Sequence, residues 1–223
     1  MKKNVRVFLA IAMVICFAVS PASAELPKGH KEFMKNEDYK DAFDQFTAVM
    51  EEAKERLSAA EYKALEKENG ETIAASVKED MGSGTSEADA YAAAYWMRNE
   101  QVSRELRWDW LRKNAEDVQG FYRLKSDAFE GYMTLEKGDE ENEYAAGISV
   151  AMKKEPYNSG DFDGLGKLSD GKMTAANGDE DPNAVTVTFD GETAKVVTSK
   201  ALKESDLFGA GVTIDGEYLR EKK

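Results

Sequence analysis

The sequence predicts an α+β protein, an antiparallel three-helix N-terminal module followed by a small antiparallel β-meander or barrel. Three observations carry that expectation. Apolar residues recur at helical spacing through residues 31–119, leaving charged residues on the opposite face. From Phe121 the period shortens to that of a strand, as in Val185-Thr186-Val187-Thr188-Phe189. Turn dipeptides separate the short runs, Asp190-Gly191 being the clearest hairpin signal.

The chain opens with Lys2, Lys3 and Arg6, an apolar run from Val7 to Val19, and Pro21-Ala22-Ser23-Ala24. This is the pattern of an export signal, with cleavage expected after Ala24 and Glu25 as the new N-terminus. The apolar run is too short to span a bilayer. The expected organisation is a signal peptide over 1–24, a helical module over 25–119 and a β module over 120–223, with Gly120 as hinge. Such a protein is periplasmic or extracellular. Cys16, the only cysteine, leaves with the signal, so the exported chain relies on its hydrophobic core and not on disulfides.

Within the helical module, Tyr39, Ala42, Phe43, Phe46, Val49, Met50, Ala53 and Leu57 form one stripe. Ser58-Ala59-Ala60-Glu61 is a capping box that starts a second helix, with a break expected at Gly70 and resumption from Thr72 to Met81. Gly82-Ser83-Gly84 marks a turn. Ser86-Glu87-Ala88-Asp89 then opens a third helix reaching at least Leu111. Strands are expected at Phe129–Leu135, Tyr144–Met152, Lys172–Ala175, Ala184–Phe189, Thr193–Thr198 and Val212–Leu219. Asn177-Gly178 and Asp215-Gly216 supply further turns.

Charge bounds the partners. The chain holds 30 basic and 43 acidic side chains for a net −13, and removing the three signal cations takes this to −16. Such a field repels nucleic acid and anionic lipid and steers basic proteins inward. No later apolar run approaches the length of a membrane span.

Catalytic and metal chemistry lack parts. His30 is the only histidine and lies in a Pro-Lys-Gly-His-Lys stretch expected to be mobile and solvated. Without a second histidine or a retained cysteine, no Ser-His or Cys-His pair and no ordinary zinc site can be assembled. Asp161-Phe162-Asp163-Gly164 and Asn177-Gly178-Asp179-Glu180-Asp181 resemble pieces of calcium loops. Leu165 and Pro182 fall where a ligand and the turn glycine belong, so both read as acidic hairpin tips. No catalytic residue, metal or cofactor is assigned. Trp108 and Trp110, two apart on a helix, point to different faces, so one is expected exposed or packed against the β module.

The stretch from Tyr39 to Leu106 resembles the helical module of the LprI-like lysozyme inhibitor family. The resemblance rests on a helix ending near Met50, Leu57-Ser58-x-x-Glu61-x-x-x-Leu65, Glu87-Ala88-x-Ala90-Tyr91, Arg98 and Leu106. The chain departs from the family in lacking its cysteines, and Asn69-Gly70-Glu71-Thr72 stands where a glutamine and tryptophan belong. The second half resembles a small extracytoplasmic β module, opening with Phe129-Glu130-Gly131-Tyr132 and closing with Phe208-Gly209-Ala210-Gly211-Val212 and Asp215-Gly216-x-Tyr218. The resemblance implies lysozyme inhibition.

The expected function is that of an exported, non-catalytic binding protein of the cell envelope, meeting a basic protein such as a lysozyme through an acidic surface. Candidate contacts are the acidic tips Asp139, Glu140, Glu141 and Glu143 with Asp179, Glu180 and Asp181. Two alternatives stand beside it: a small-ligand-binding barrel interior, and a structural envelope protein docking through the exposed stripe from Tyr39 to Leu57.

Overall fold

Side-chain caps start the long helices where the sequence places them. Asn36 Oδ1 accepts from Tyr39 N at 3.1 Å to open one, and Ser58 with Glu61 forms the full capping box that opens the next. In the computed structural model, which describes residues 26–178, 181–205 and 207–222, the first half holds α1 (His30–Phe33), α2 (Glu37–Arg56), α3 (Ala59–Gly82) and α4 (Glu87–Lys113). The expected signal peptide lies outside the described residues. A fifth helix, α5 (Lys200–Lys203), lies in the second half.

Among the described residues the N-terminal module therefore holds four helices where three were expected, and with α5 the helices number five. Both additions are four residues long, too short for any period to show. The expected break at Gly70 is also absent, because α3 runs through it. Nothing lies within 4 Å of where a Cβ on Gly70 would sit, and the glycine penalty of about 1 kcal/mol is small against a helix of 24 residues.

The chain divides into two compact units, one ending at Val102 and one beginning at Ser103. In the first, the α2 stripe is core: Tyr39, Ala42, Phe46, Val49, Met50 and Ala53 are all buried. Its burial removes the exposed face on which the structural-docking alternative depended. α2 and α4 meet N-terminus to N-terminus, with Asn36 Nδ2 donating to Asp89 Oδ1 at 3.3 Å and the Tyr39 and Tyr95 rings edge to face. His30 is not solvated as expected. Its Nδ1 lies 2.8 Å from the Tyr39 hydroxyl and its ring packs on Phe43, which pins α1 in place. Burial pushes the Tyr39 hydroxyl up to about 12.

A polar knot sits inside this unit. The Arg98 guanidinium, only 4% exposed, donates to Asn69 Oδ1 at 2.6 Å, Gln101 Oε1 at 2.6 Å and Glu68 Oε1 at 3.1 Å. Asn69 Nδ2 in turn reaches Met50 Sδ at 3.0 Å. One side chain thereby ties α4 to α3, and Asn69 ties α3 to α2.

The second unit is a closed, fully antiparallel barrel of eight strands in chain order. They are β1 (Gly120–Leu124), β2 (Phe129–Lys137), β3 (Glu143–Met152), β4 (Ser159–Ser169), β5 (Lys172–Ala176), β6 (Ala184–Asp190), β7 (Thr193–Thr198) and β8 (Gly216–Glu221). Of the two architectures expected, the meander closes into the barrel. Gly191, at φ +58, lets the β6–β7 hairpin turn within two residues. Among the described residues, two strands appear that the sequence reading had not placed, β1 and β4. In β1 the outward Phe121 is as buried as the inward Tyr122, so no alternation shows. In β4 the inward positions Gly160, Gly164 and Gly166 carry no side chain to alternate with, and Asp161-Phe162-Asp163-Gly164 is mid-strand, not a hairpin tip.

Tyr122, Met133, Leu135, Phe162, Met173 and Tyr218 are among the buried side chains that fill the interior. Among the described residues these side chains pack the barrel core, a filling that counts against the small-ligand alternative. Tyr122 and Tyr218 satisfy their hydroxyls on the Val118 and Ile214 carbonyls at 2.7 and 2.8 Å. Asp215 clasps the end of β7, accepting from Thr198 N at 2.6 Å, Thr198 Oγ1 at 2.8 Å and Lys203 Nζ at 2.8 Å. Burial by itself would raise its pKa, but the Lys203 and Thr198 hydrogen bonds outweigh burial and hold the carboxyl below its ordinary value.

Arg98→Met is expected to cost about 2 kcal/mol, because Asn69 Oδ1 then stays buried without its donor. Urea unfolding of the variant measures this, and a loss below about 0.5 kcal/mol would mean the knot is redundant. Because Asp215 is depressed in the folded state, its contribution is full above the unfolded carboxyl value of about 3.9 and disappears as pH falls through the lower folded value. Asp215→Asn should lower the urea midpoint at pH 7 and flatten its decline on acidification. A parallel decline in both proteins would show that the clasp adds nothing.

Candidate functional site

On the outside of the barrel the registers of β2, β3 and β4 align two rows of outward side chains: Tyr132, Ser149 and Asp161, then Thr134, Gly147 and Asp163. Alternation forces this, since the inward partners Met133, Ile148 and Phe162 belong to the core. Gly147 has no side chain, and the space above it is used. A Cβ there would lie 3.0 Å from Thr134 Oγ1 and 3.1 Å from Asp163 Oδ1, so glycine is what lets those two groups converge.

The end of α4, from Ser103 onward, forms the facing wall. Trp108 anchors it, with ring centroids 5.2 Å from Phe121 and 4.5 Å from Tyr132. Arg112 lies over the Phe121 ring at 4.2 Å and donates to Glu221 Oε2 at 3.0 Å, while Arg123 donates to Glu221 Oε1 at 3.1 Å. Burial opposes ionisation of Glu221, yet the two guanidinium groups hold its carboxyl below the ordinary value. Arg107 pairs with Glu136 on β2. Trp110, two residues past Trp108, is 42% exposed, as two residues on different helix faces require.

Between these walls lies a trough of about 370 Å³, lined by Arg104, Arg107, Trp108, Tyr132, Ser149, Asp161 and Asp163 among others. It adjoins a groove of about 750 Å³ that shares Arg107, Gly147 and Asp163 with it. The groove exists because β4–β5 pairing stops at Leu165 and Ala176 while β4 continues toward Asp163 and Asp161. The β5–β6 connection then borders the uncovered part of β4 with Asn177, Gly178 and Asp181.

The expected contact residues divide. Glu143 and Asp181 come from different turns and line the same groove. Asp139, Glu140 and Glu141 sit exposed in the β2–β3 turn, where Glu140 pairs with Lys167 at 2.7 Å and has its pKa lowered by that partner. Glu143 Oε2 accepts from Glu140 N at 3.4 Å, and Asp181 Oδ1 from Asn183 N at 2.8 Å. Asp179 and Glu180 lie outside the described residues. Asp161, Asp163, Tyr132, Ser149 and Arg104, which line the trough, were not among the expected contacts, and no local motif unites them. The alternation around Phe162 was the one available signal.

No protein-family model, curated protein or solved structure matches this chain. Among the described residues, no group of three His, Cys, Asp or Glu side chains converges to hold a metal ion, and no helix is long and apolar enough to cross a membrane. The trough and groove present carboxylates, hydroxyls, a guanidinium and the exposed Leu165.

Trp108→Ala should cost about 2 kcal/mol, since Trp108 is the ring that fastens the end of α4 to Phe121 and Tyr132. Amide exchange across residues 103–113 is expected to accelerate selectively. Equal protection in variant and parent would mean that the arginine pairs alone hold the segment.

Proposed function

We propose that this is an exported, non-catalytic binding protein of the cell envelope whose target is a basic protein, with lysozyme inhibition as its specific form. The observation that carries the reading is the groove on the barrel exterior. Glu143, Asp163 and Asp181 line it together, although they are far apart in sequence. Its two cations are already engaged, Arg107 with Glu136 and Lys167 with Glu140, so the surface stays acidic. Leu165, 55% exposed beside them, adds an apolar contact of the kind protein partners bury. The exported form's net charge of −16 would draw a basic partner in, and the carboxylates would orient it. Because the barrel interior is filled, recognition falls to this outer surface.

The test is inhibition of a panel of basic lysozymes by the protein lacking residues 1–24, at about 20 and about 200 mM salt. Inhibition that weakens with salt, and weakens about tenfold in a Glu143→Gln, Asp181→Asn double variant, is the expected result. Lysozyme activity unchanged under a large excess of the protein at low salt rejects the inhibitor form. Binding without inhibition would leave the broader reading in place.

A further inference from the structure

The trough beside α4 holds charges of both signs that do not neutralise each other. Arg107 is taken up by Glu136, but Arg104 is held over the Trp108 ring, 5.4 Å from its centroid. Asp163 is seated over Gly147 on the opposite wall, with Asp161 one outward position along β4. Among the described residues, neither carboxylate has a hydrogen-bond or ion-pair partner. Tyr132, Ser149 and Trp108 line the same space, and their hydroxyls and indole N–H have no hydrogen-bond partner among the described residues.

This lining discriminates by chemistry. A hydrocarbon would strip water from four or more polar groups and return nothing to them. A simple anion would face Asp161 and Asp163, and a simple cation would face Arg104. A molecule with a carboxylate at one end and an ammonium at the other satisfies both walls at once, and amide groups between them would meet the hydroxyls and the indole N–H. The volume of about 370 Å³ is that of a small-molecule site and takes a peptide of a few small residues.

We propose that the trough is a binding site for a short zwitterionic peptide, its carboxylate on Arg104 and its ammonium on Asp161 and Asp163. The site goes beyond the basic-protein reading and does not depend on it, since Glu143 and Asp181 do not line the trough.

Calorimetric titration of the exported form with L-alanine and with di-, tri- and tetra-alanine tests this directly. The best binder is then compared with its N-acetylated and C-amidated forms, and with trilysine amide as a pure polycation. Expected is binding that peaks at one length and falls at least about tenfold when either terminus is blocked. Arg104→Gln should abolish the discrimination against the amide, and the double variant Asp161→Asn, Asp163→Asn that against the acetylated peptide. These residues are exposed, and near-ultraviolet circular dichroism of each variant verifies that the barrel is intact. Failure of every alanine peptide to bind up to about 10 mM overturns the proposal, as does equal affinity for blocked and free forms. Trilysine amide binding best would likewise overturn it and give the trough to the basic partner. Asp163 lines both sites, but lysozyme inhibition is read in a separate assay and through Glu143 and Asp181, which the peptide variants leave unchanged, so the two readings can fail independently.

Discussion

The pairing of β1 with β8 is the constraint on which the second unit depends. Four residue pairs, from Phe121 with Glu221 to Leu124 with Tyr218, join segments nearly a hundred residues apart and leave the sheet without an open edge. Closure decides which side chain of every strand faces in. It also brings Arg220 against Tyr122, whose hydroxyl it reaches at 3.1 Å, and Glu221 between Arg112 and Arg123. The end of α4 is thus fastened to the very seam that closes the barrel. The helical wall of the trough and the integrity of the sheet share the same residues.

Glycine placement shapes the recognition surface from there. A Cβ on Gly166 would clash with Thr174 O, and one on Gly131 would meet Ser149 O at 2.6 Å, so strands β2 to β5 curve tightly where those residues face in. Gly147 faces out and clears the trough floor. Inward and outward glycines therefore serve different ends on neighbouring strands: the first permits coiling of a small barrel, the second permits two polar groups to converge above it. The core side chains face inward, and on the exterior β4 runs past its partner β5 and leaves Asp161 and Asp163 uncovered, where the proposed recognition surface lies.

Much of the architecture was legible. The α2 stripe, the capping box at Ser58, the Ser86 side-chain cap and the alternation of Val185 to Phe189 each concern residues within a turn or two of one another. The expected hairpin tips were less informative about the site. Glu143 and Asp181 did come together, but Asp161 and Asp163 were read as a turn because glycines erased the inward half of their pattern. His30 was expected in solvent, and only the arrival of Tyr39 and Phe43 shows why it is held.

By itself, then, the sequence determined that a helical half precedes a half of short antiparallel strands and that the chain is acidic, because periodicity, capping and charge are local or additive properties. The tertiary structure alone decided that the sheet closes, that its interior is filled, and that Arg104, Tyr132, Ser149, Asp161 and Asp163 share one trough. Register is the physical reason. Which outward residue stands beside which follows from hydrogen bonding between distant strands, and a slip of one residue would turn both aspartates into the core.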